Sequence, residues 1–132
     1  MNVLFIEDDM IESMKMQRAI AKLQSKHTII EAKNGEEALD ILKEGKLPDI
    51  ILLDLNMPRM SGIEFLTIIK ADPELKYLPT IILTTSENRV DLMKCFEIGI
   101  AGYIIKPLKY DDYESKLKKV FDYWEVSELV KA

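Results

Sequence analysis

Between Asp49 and Gly62 the chain reads DIILLDLNMPRMSG. Ile50 to Leu53 are apolar without alternation, the pattern of a strand buried on both faces rather than on one. The run stops on a carboxylate, Asp54, and Asn56, Met57, Pro58, Ser61 and Gly62 follow, most of them turn-formers or cap residues. A carboxylate delivered to the end of a buried strand, with a stiff loop beyond it, is a reactive arrangement. Its chemistry depends on what else reaches the same edge.

Upstream, Val3 to Ile6 form a second apolar run that ends on three acids, Glu7, Asp8 and Asp9. Ile11, Met14, Met16, Ile20 and Leu23 then recur at helical spacing to about Gln24, and Thr28 to Ala32 read as a strand. Asn34 with Glu37 has capping-box spacing for a helix that carries Ala38, Leu39 and Leu42 and ends near Gly45. Downstream, Ser61 with Glu64 repeats that signal for a helix presenting Ile63, Leu66 and Ile69, stopped at Asp72-Pro73. Thr80 to Leu83 form a strand ending on Thr84, Thr85 and Ser86. Val90, Met93 and Phe96 mark a helix that stops at Gly99. Tyr103 to Ile105 form the last strand, ending on Lys106-Pro107. A final helix carries Tyr110, Tyr113, Leu117, Val120, Phe121 and Trp124 along one side.

Five strands alternating with five helices predict an α/β fold, with a parallel sheet covered by helices on both faces and right-handed crossovers. The 132 residues are expected to form one domain with a core at about 2–124, and residues 125–132 are expected to be a tail carrying Val126, Leu129 and Val130. Apolar content of 48% and charged content of 31% are those of a soluble globule. A net charge of −5, with basic residues interspersed among acids, argues against a nucleic-acid-binding surface. No apolar run approaches the roughly 20 residues that span a bilayer. Glu7 interrupts the N-terminal apolar run too early for a secretion signal. The single cysteine, Cys95, allows no intrachain disulfide and suits a reducing, cytoplasmic compartment. It reads as a packing residue, since the one histidine, His27, is not evidently its partner.

In open α/β sheets, sites form beyond the carboxyl ends of the strands. Four strands send Glu7-Asp8, Asp54, Thr84 and Lys106 to that edge. Three carboxylates packed together repel one another, and a divalent cation resolves the repulsion. All-oxygen ligation without histidine or cysteine suits Mg²⁺ or Mn²⁺. Asp9 reads as a cap for the first helix. A carboxylate beside a metal can attack phosphorus to form an aspartyl phosphate. Lys106 would offer the phosphoryl group a point charge and Thr84 a hydrogen bond.

These residues resemble the receiver domain of two-component response regulators over nearly all of residues 2–124. The resemblance rests on Glu7-Asp8, on Asp54-Leu55-Asn56-Met57-Pro58 with Ser61-Gly62, on Thr84, and on Tyr103 before Lys106-Pro107. Any one of these motifs is weak, but together and in register with the strands they are specific. The resemblance implies a (βα)5, flavodoxin-like fold with strand order 2-1-3-4-5. It implies that Asp54 accepts a phosphoryl group from a histidine kinase or histidine phosphotransfer protein. Asp8 and Asp54 would bind Mg²⁺ directly, Glu7 through water and Asn56 through its backbone carbonyl. Lys106 would pair with the phosphate, across a bond to Pro107 that is often cis in the family. Thr84 and Tyr103 would be the switch pair, reshaping the face of helix 4, strand 5 and helix 5 for a downstream protein. Asn56 and Ser86 would tune the phosphoryl lifetime. The chain resembles stand-alone regulators serving phytochrome-type and other hybrid kinases, some of which form homodimers through that face.

A haloacid-dehalogenase-type phosphohydrolase also uses a strand-end Asp and Mg²⁺. It places a second Asp two residues on, where this chain has Asn56, and it normally carries a cap domain. A non-phosphorylated adaptor on the same fold would be marked by loss of Asp54, Asp8, Thr84 or Lys106, and all are present. A flavin has no support, because the turn after the first strand is acidic where a phosphate group wants free backbone amides.

Overall fold

The computed structural model describes all residues except 24, 25, 131 and 132. Its elements follow in strict alternation: β1 (Asn2–Ile6), α1 (Met10–Lys22), β2 (Thr28–Ala32), α2 (Gly35–Lys43), β3 (Ile50–Leu53), α3 (Gly62–Ala71), β4 (Thr80–Thr84), α4 (Arg89–Ile98), β5 (Gly102–Ile105) and α5 (Tyr110–Val126). All pairings are parallel, in the order β2-β1-β3-β4-β5. The expected end of the first helix at Gln24 lies outside the described residues.

The unalternating apolar runs are explained by two cores. One face of the sheet sends Leu4, Ile6, Ile51, Leu53 and Ile82 against Ala38 and Leu42 of α2, Phe65, Leu66 and Ile69 of α3, and Cys95 of α4. The opposite face sends Val3, Phe5, Ile50, Leu52, Ile81 and Leu83 against Met16 and Ala19 of α1, and Tyr113, Leu117 and Phe121 of α5. Alternate residues of one strand therefore enter different cores, and both positions must be apolar. Each fully buried aliphatic or phenyl side chain contributes about 1.5–3 kcal/mol. Cys95 is sealed into the first core, and burial pushes its thiol up to about 11, consistent with a packing role.

Side-chain caps begin four helices. Asp9, Asn34, Ser61 and Asn88 accept from the backbone N–H of Ile11, Glu37, Glu64 and Val90 respectively, each worth about 1 kcal/mol. Gly99 ends α4 at φ 122°, a conformation that favours glycine. The Val90, Met93 and Phe96 series on α4 faces outward, each 48–74% exposed, and the one buried residue of that helix is Cys95. Helix α5 runs two residues into the expected tail, and beyond it Leu129 and Val130 lie beside Gly45, Leu47, Pro48 and Leu78. No described helix is long and apolar enough to cross a membrane.

Candidate functional site

The chain crosses the sheet between β1 and β3, so the carboxyl ends of these two central strands flank the topological switch point. Register then decides which side chains meet. Ile6 pairs with Leu53, and Thr84 with Ile105. The residues that carry charge sit one position past the strand ends, yet the ladder still holds their backbones. The Glu7 N–H donates to the Ala32 carbonyl (3.0 Å), Asp54 to Ile6 (3.1 Å) and Lys106 to Thr84 (2.8 Å). Each functional side chain thus leaves a backbone anchored to the core, with its direction set by the pleat.

Glu7, Asp8 and Asp54 each offer a carboxylate oxygen within 4.8 Å of the other two. Glu7 and Asp54 are buried, while Asp8 is exposed. Three hard oxygen donors at that separation fit a divalent cation such as Mg²⁺ and offer nothing to a soft one. Asn56 is exposed at the start of the loop beyond Asp54.

Lys106 is buried and donates to the Glu7 carboxylate, with a second carboxylate, Glu12, 3.6 Å from its Nζ. Burial raises the Glu7 carboxyl well above the usual range, and the nearby Asp54 charge adds to that, against the pull of Lys106. Burial alone would lower the Lys106 ammonium. The hydrogen bond to Glu7 and the charges of Glu7, Asp54 and Glu12 outweigh it and hold the ammonium above its ordinary value. The edge is therefore acid-rich even after Lys106 is counted.

The loop from Asp54 to Ser61 is seated on the start of α3. The Gly62 N–H donates to the Leu55 carbonyl at 3.0 Å. A Cβ at Gly62 would lie 2.8 Å from the Leu55 Cα and closer still to the Asp54 carbonyl oxygen. Only a glycine lets the helix approach the turn after Asp54 this closely. Arg59, at φ 68°, is a non-glycine residue in the left-handed region of the same loop.

On the other side, Ser86 ties three parts together. Its N–H donates to the Thr84 hydroxyl (3.2 Å), its hydroxyl donates to Asp91 of α4 (2.8 Å), and its carbonyl accepts from the Tyr103 hydroxyl (3.0 Å). Thr84 is fully buried and Tyr103 half-buried. The predicted switch pair is thus connected through one residue, whose hydroxyl is engaged with α4. One expectation is corrected. The peptide between Lys106 and Pro107 is trans, as no peptide bond among the described residues is cis. Trans is the lower-energy isomer by about 0.5–1 kcal/mol, and with it Lys106 already reaches Glu7.

Glu12 is the site residue that sequence reasoning missed. Its signal was its position three residues after the cap Asp9, which places an acid in the first turn of α1, pointing back to the strand ends.

A profile of the response regulator receiver domain matches residues 3–118, and the chain belongs to that family. It is 34% identical over 119 residues to the chemotaxis protein CheY-3 of Vibrio cholerae, covering 90% of this chain and 91% of that one. The crystal structure of the phosphorylated cyanobacterial phytochrome response regulator RcpA superposes with a TM-score of 0.92 at 29% identity, over 98% of both chains. The Mn²⁺-bound form of response regulator Rcp1 superposes at 0.89 with 30% identity, over 98% of this chain and 99% of that one.

Proposed function

We propose that Asp54 is the phosphoacceptor of a two-component phosphorelay, and that the chain signals by changing shape rather than by turning over a substrate. The observation that carries this reading is the meeting of Glu7, Asp8 and Asp54 within 4.8 Å beside the buried Lys106 ammonium. The donor is a phosphohistidine of a histidine kinase or histidine phosphotransfer protein. An Asp54 carboxylate oxygen forms a bond to phosphorus as the P–N bond breaks. The imidazole nitrogen leaves with the electron pair and takes up a proton.

Asp8 and Asp54 would hold Mg²⁺, or Mn²⁺, with Glu7 acting through water and Asn56 through its carbonyl. The bound ion would neutralise charge on the transferring oxygens. The donor set fits this ion, and the likeness to Mn²⁺-bound Rcp1 supports the reading. Lys106 supplies a buried positive charge to the phosphoryl oxygens. Thr84 donates its hydroxyl to them, and in turning gives up the Ser86 N–H, so the loop that also holds Tyr103 and Asp91 must readjust. Tyr103 then settles inward, and the face made by α4, β5 and α5 becomes the surface read by a downstream protein or by a second copy of the chain. Ser86, with its hydroxyl held by Asp91, and Asn56 would set how readily water reaches the acyl phosphate. The likeness to the phytochrome response regulator RcpA supports an input from a phytochrome-type kinase.

With phosphoramidate or acetyl phosphate and Mg²⁺, intact-mass measurement is expected to show one added acid-labile phosphoryl group. Asp54→Asn is expected to abolish it. Full labelling of that variant would refute the assignment.

A further inference from the structure

Lys106 does not face a single carboxylate. Its side chain is 5% exposed, and its ammonium is bonded to Glu7 and also lies 3.6 Å from Glu12 Oε2. Glu12 Oε2 is sealed from solvent and makes no hydrogen bond among the described residues, so the ammonium is the positive charge that compensates it there. The other oxygen, Oε1, is 3.4 Å from Lys15 Nζ, which also sits 4.7 Å above the Tyr113 ring. Four charges of alternating sign, Lys15, Glu12, Lys106 and Glu7, thus run from the α1–α5 seam to the acid cluster.

The geometry points to Glu12 as a positioning residue that holds the Lys106 ammonium away from Asp54, with Lys15 setting how strongly it pulls. This rests on the reading of Asp54 as phosphoacceptor. When a cation occupies the edge, the Glu7 carboxylate is engaged with it and its hold on Lys106 weakens. Glu12 has no ligand role to draw it away, and it becomes the anion against which an incoming phosphoryl group must compete for the ammonium. An ion pair whose carboxylate oxygen is sealed from water and whose lysine side chain is buried is attenuated far less than one on the surface. The competition therefore enters the barrier to phosphorylation, while Mg²⁺ affinity, set by Glu7, Asp8 and Asp54, is left largely alone.

Two substitutions with opposite expected signs test this. Glu12→Gln keeps the shape, removes the competing charge, and should speed phosphorylation by phosphoramidate at saturating Mg²⁺ by about fivefold. Lys15→Met removes the cation that shares Glu12, leaves Glu12 to grip Lys106 alone, and should slow the reaction by about threefold. Melting temperature and the Mg²⁺ dissociation constant are measured on both variants and on the unmutated chain. A purely structural role would slow both variants in step with their loss of stability, and that outcome overturns the proposal. So does an unchanged rate in Glu12→Gln. Should the unmutated chain itself take up no phosphoryl group, the reading of Asp54 falls first, and this inference falls with it.

Discussion

The two ends of the same five strands are built on opposite rules. At the amino end, polar groups close on one another. The Asp49 carboxylate accepts the Asn2 N–H at 2.7 Å, and the Asp49 N–H donates to the Asn2 carbonyl at the same distance. His27 Nε2 lies 2.8 Å from Glu125, with its ring against Phe121 at 4.8 Å. Leu129 and Val130 lie beside Leu47, Pro48 and Leu78. At the carboxyl end, three carboxylates and Glu12 face one buried ammonium, and the Glu7 carboxyl is pushed up by its own burial. One end is satisfied by the chain alone, while the other holds more negative charge than the chain neutralises. Unneutralised charge held by rigid backbone costs stability, and under the proposed function that cost is what prepares a place for a cation and a phosphoryl group.

Gly62→Ala drives a methyl group into the Asp54–Leu55 backbone, which cannot yield as a side chain would. It is expected to lower unfolding free energy by about 3 kcal/mol and to impair phosphorylation as well. Denaturant melts with a parallel labelling assay check both effects.

Glu7 predicts a pH dependence of metal binding. Its carboxyl is raised to about 7, so below that pH a proton must leave before the charge can attract a cation. Mg²⁺ affinity should fall as pH drops below about 7, by up to about tenfold per unit for one released proton, and level off above it. Glu7→Gln should remove that dependence, and calorimetric titration at several pH values measures it. The same shift acts on metal-free stability with the opposite sign. A carboxyl whose folded value lies above its unfolded one stabilises the fold at acid pH, and that contribution fades as pH rises toward about 7.

Asp49→Ala tests the self-contained end. It removes the bond to Asn2 and should cost about 1 kcal/mol. Phosphorylation and Mg²⁺ affinity should not change. A loss of either would mean that the two ends are coupled in a way the contrast denies.

Much of this architecture was legible in the sequence because it is written in patterns with a physical cause. Ile50 to Leu53 had to be apolar at every position to fill two cores, and the Asn34 and Ser61 caps declared two helix starts. Glu7, Asp54 and Lys106 were placed by counting one step past each strand, and Asp8 by counting two. Less local features were hidden. Glu12 reaches Lys106 only after α1 folds back over the strand ends, a contact across more than ninety residues that no spacing rule encodes. The Ser86 hydroxyl chooses Asp91 because α4 begins where it does. The isomer at Pro107 is decided by a small energy difference that sequence does not display. The outward face of α4 misleads for another reason. Val90, Met93 and Phe96 recur like a core stripe, yet the helix turns them to solvent and buries Cys95 instead.

The central claim is that the charge imbalance at the carboxyl end serves phosphoryl transfer to one residue. Borohydride reduction of the phosphoramidate-treated protein, followed by peptide mass mapping, tests it most directly, because an acyl phosphate is reduced where a free carboxylate is not. Conversion of Asp54 to homoserine, dependent on Mg²⁺ and with Asp8 and Glu7 unchanged, is the predicted result. Reduction at Asp8 or Glu7 with Asp54 intact, or at no residue of a protein that has gained the phosphoryl mass, would contradict it.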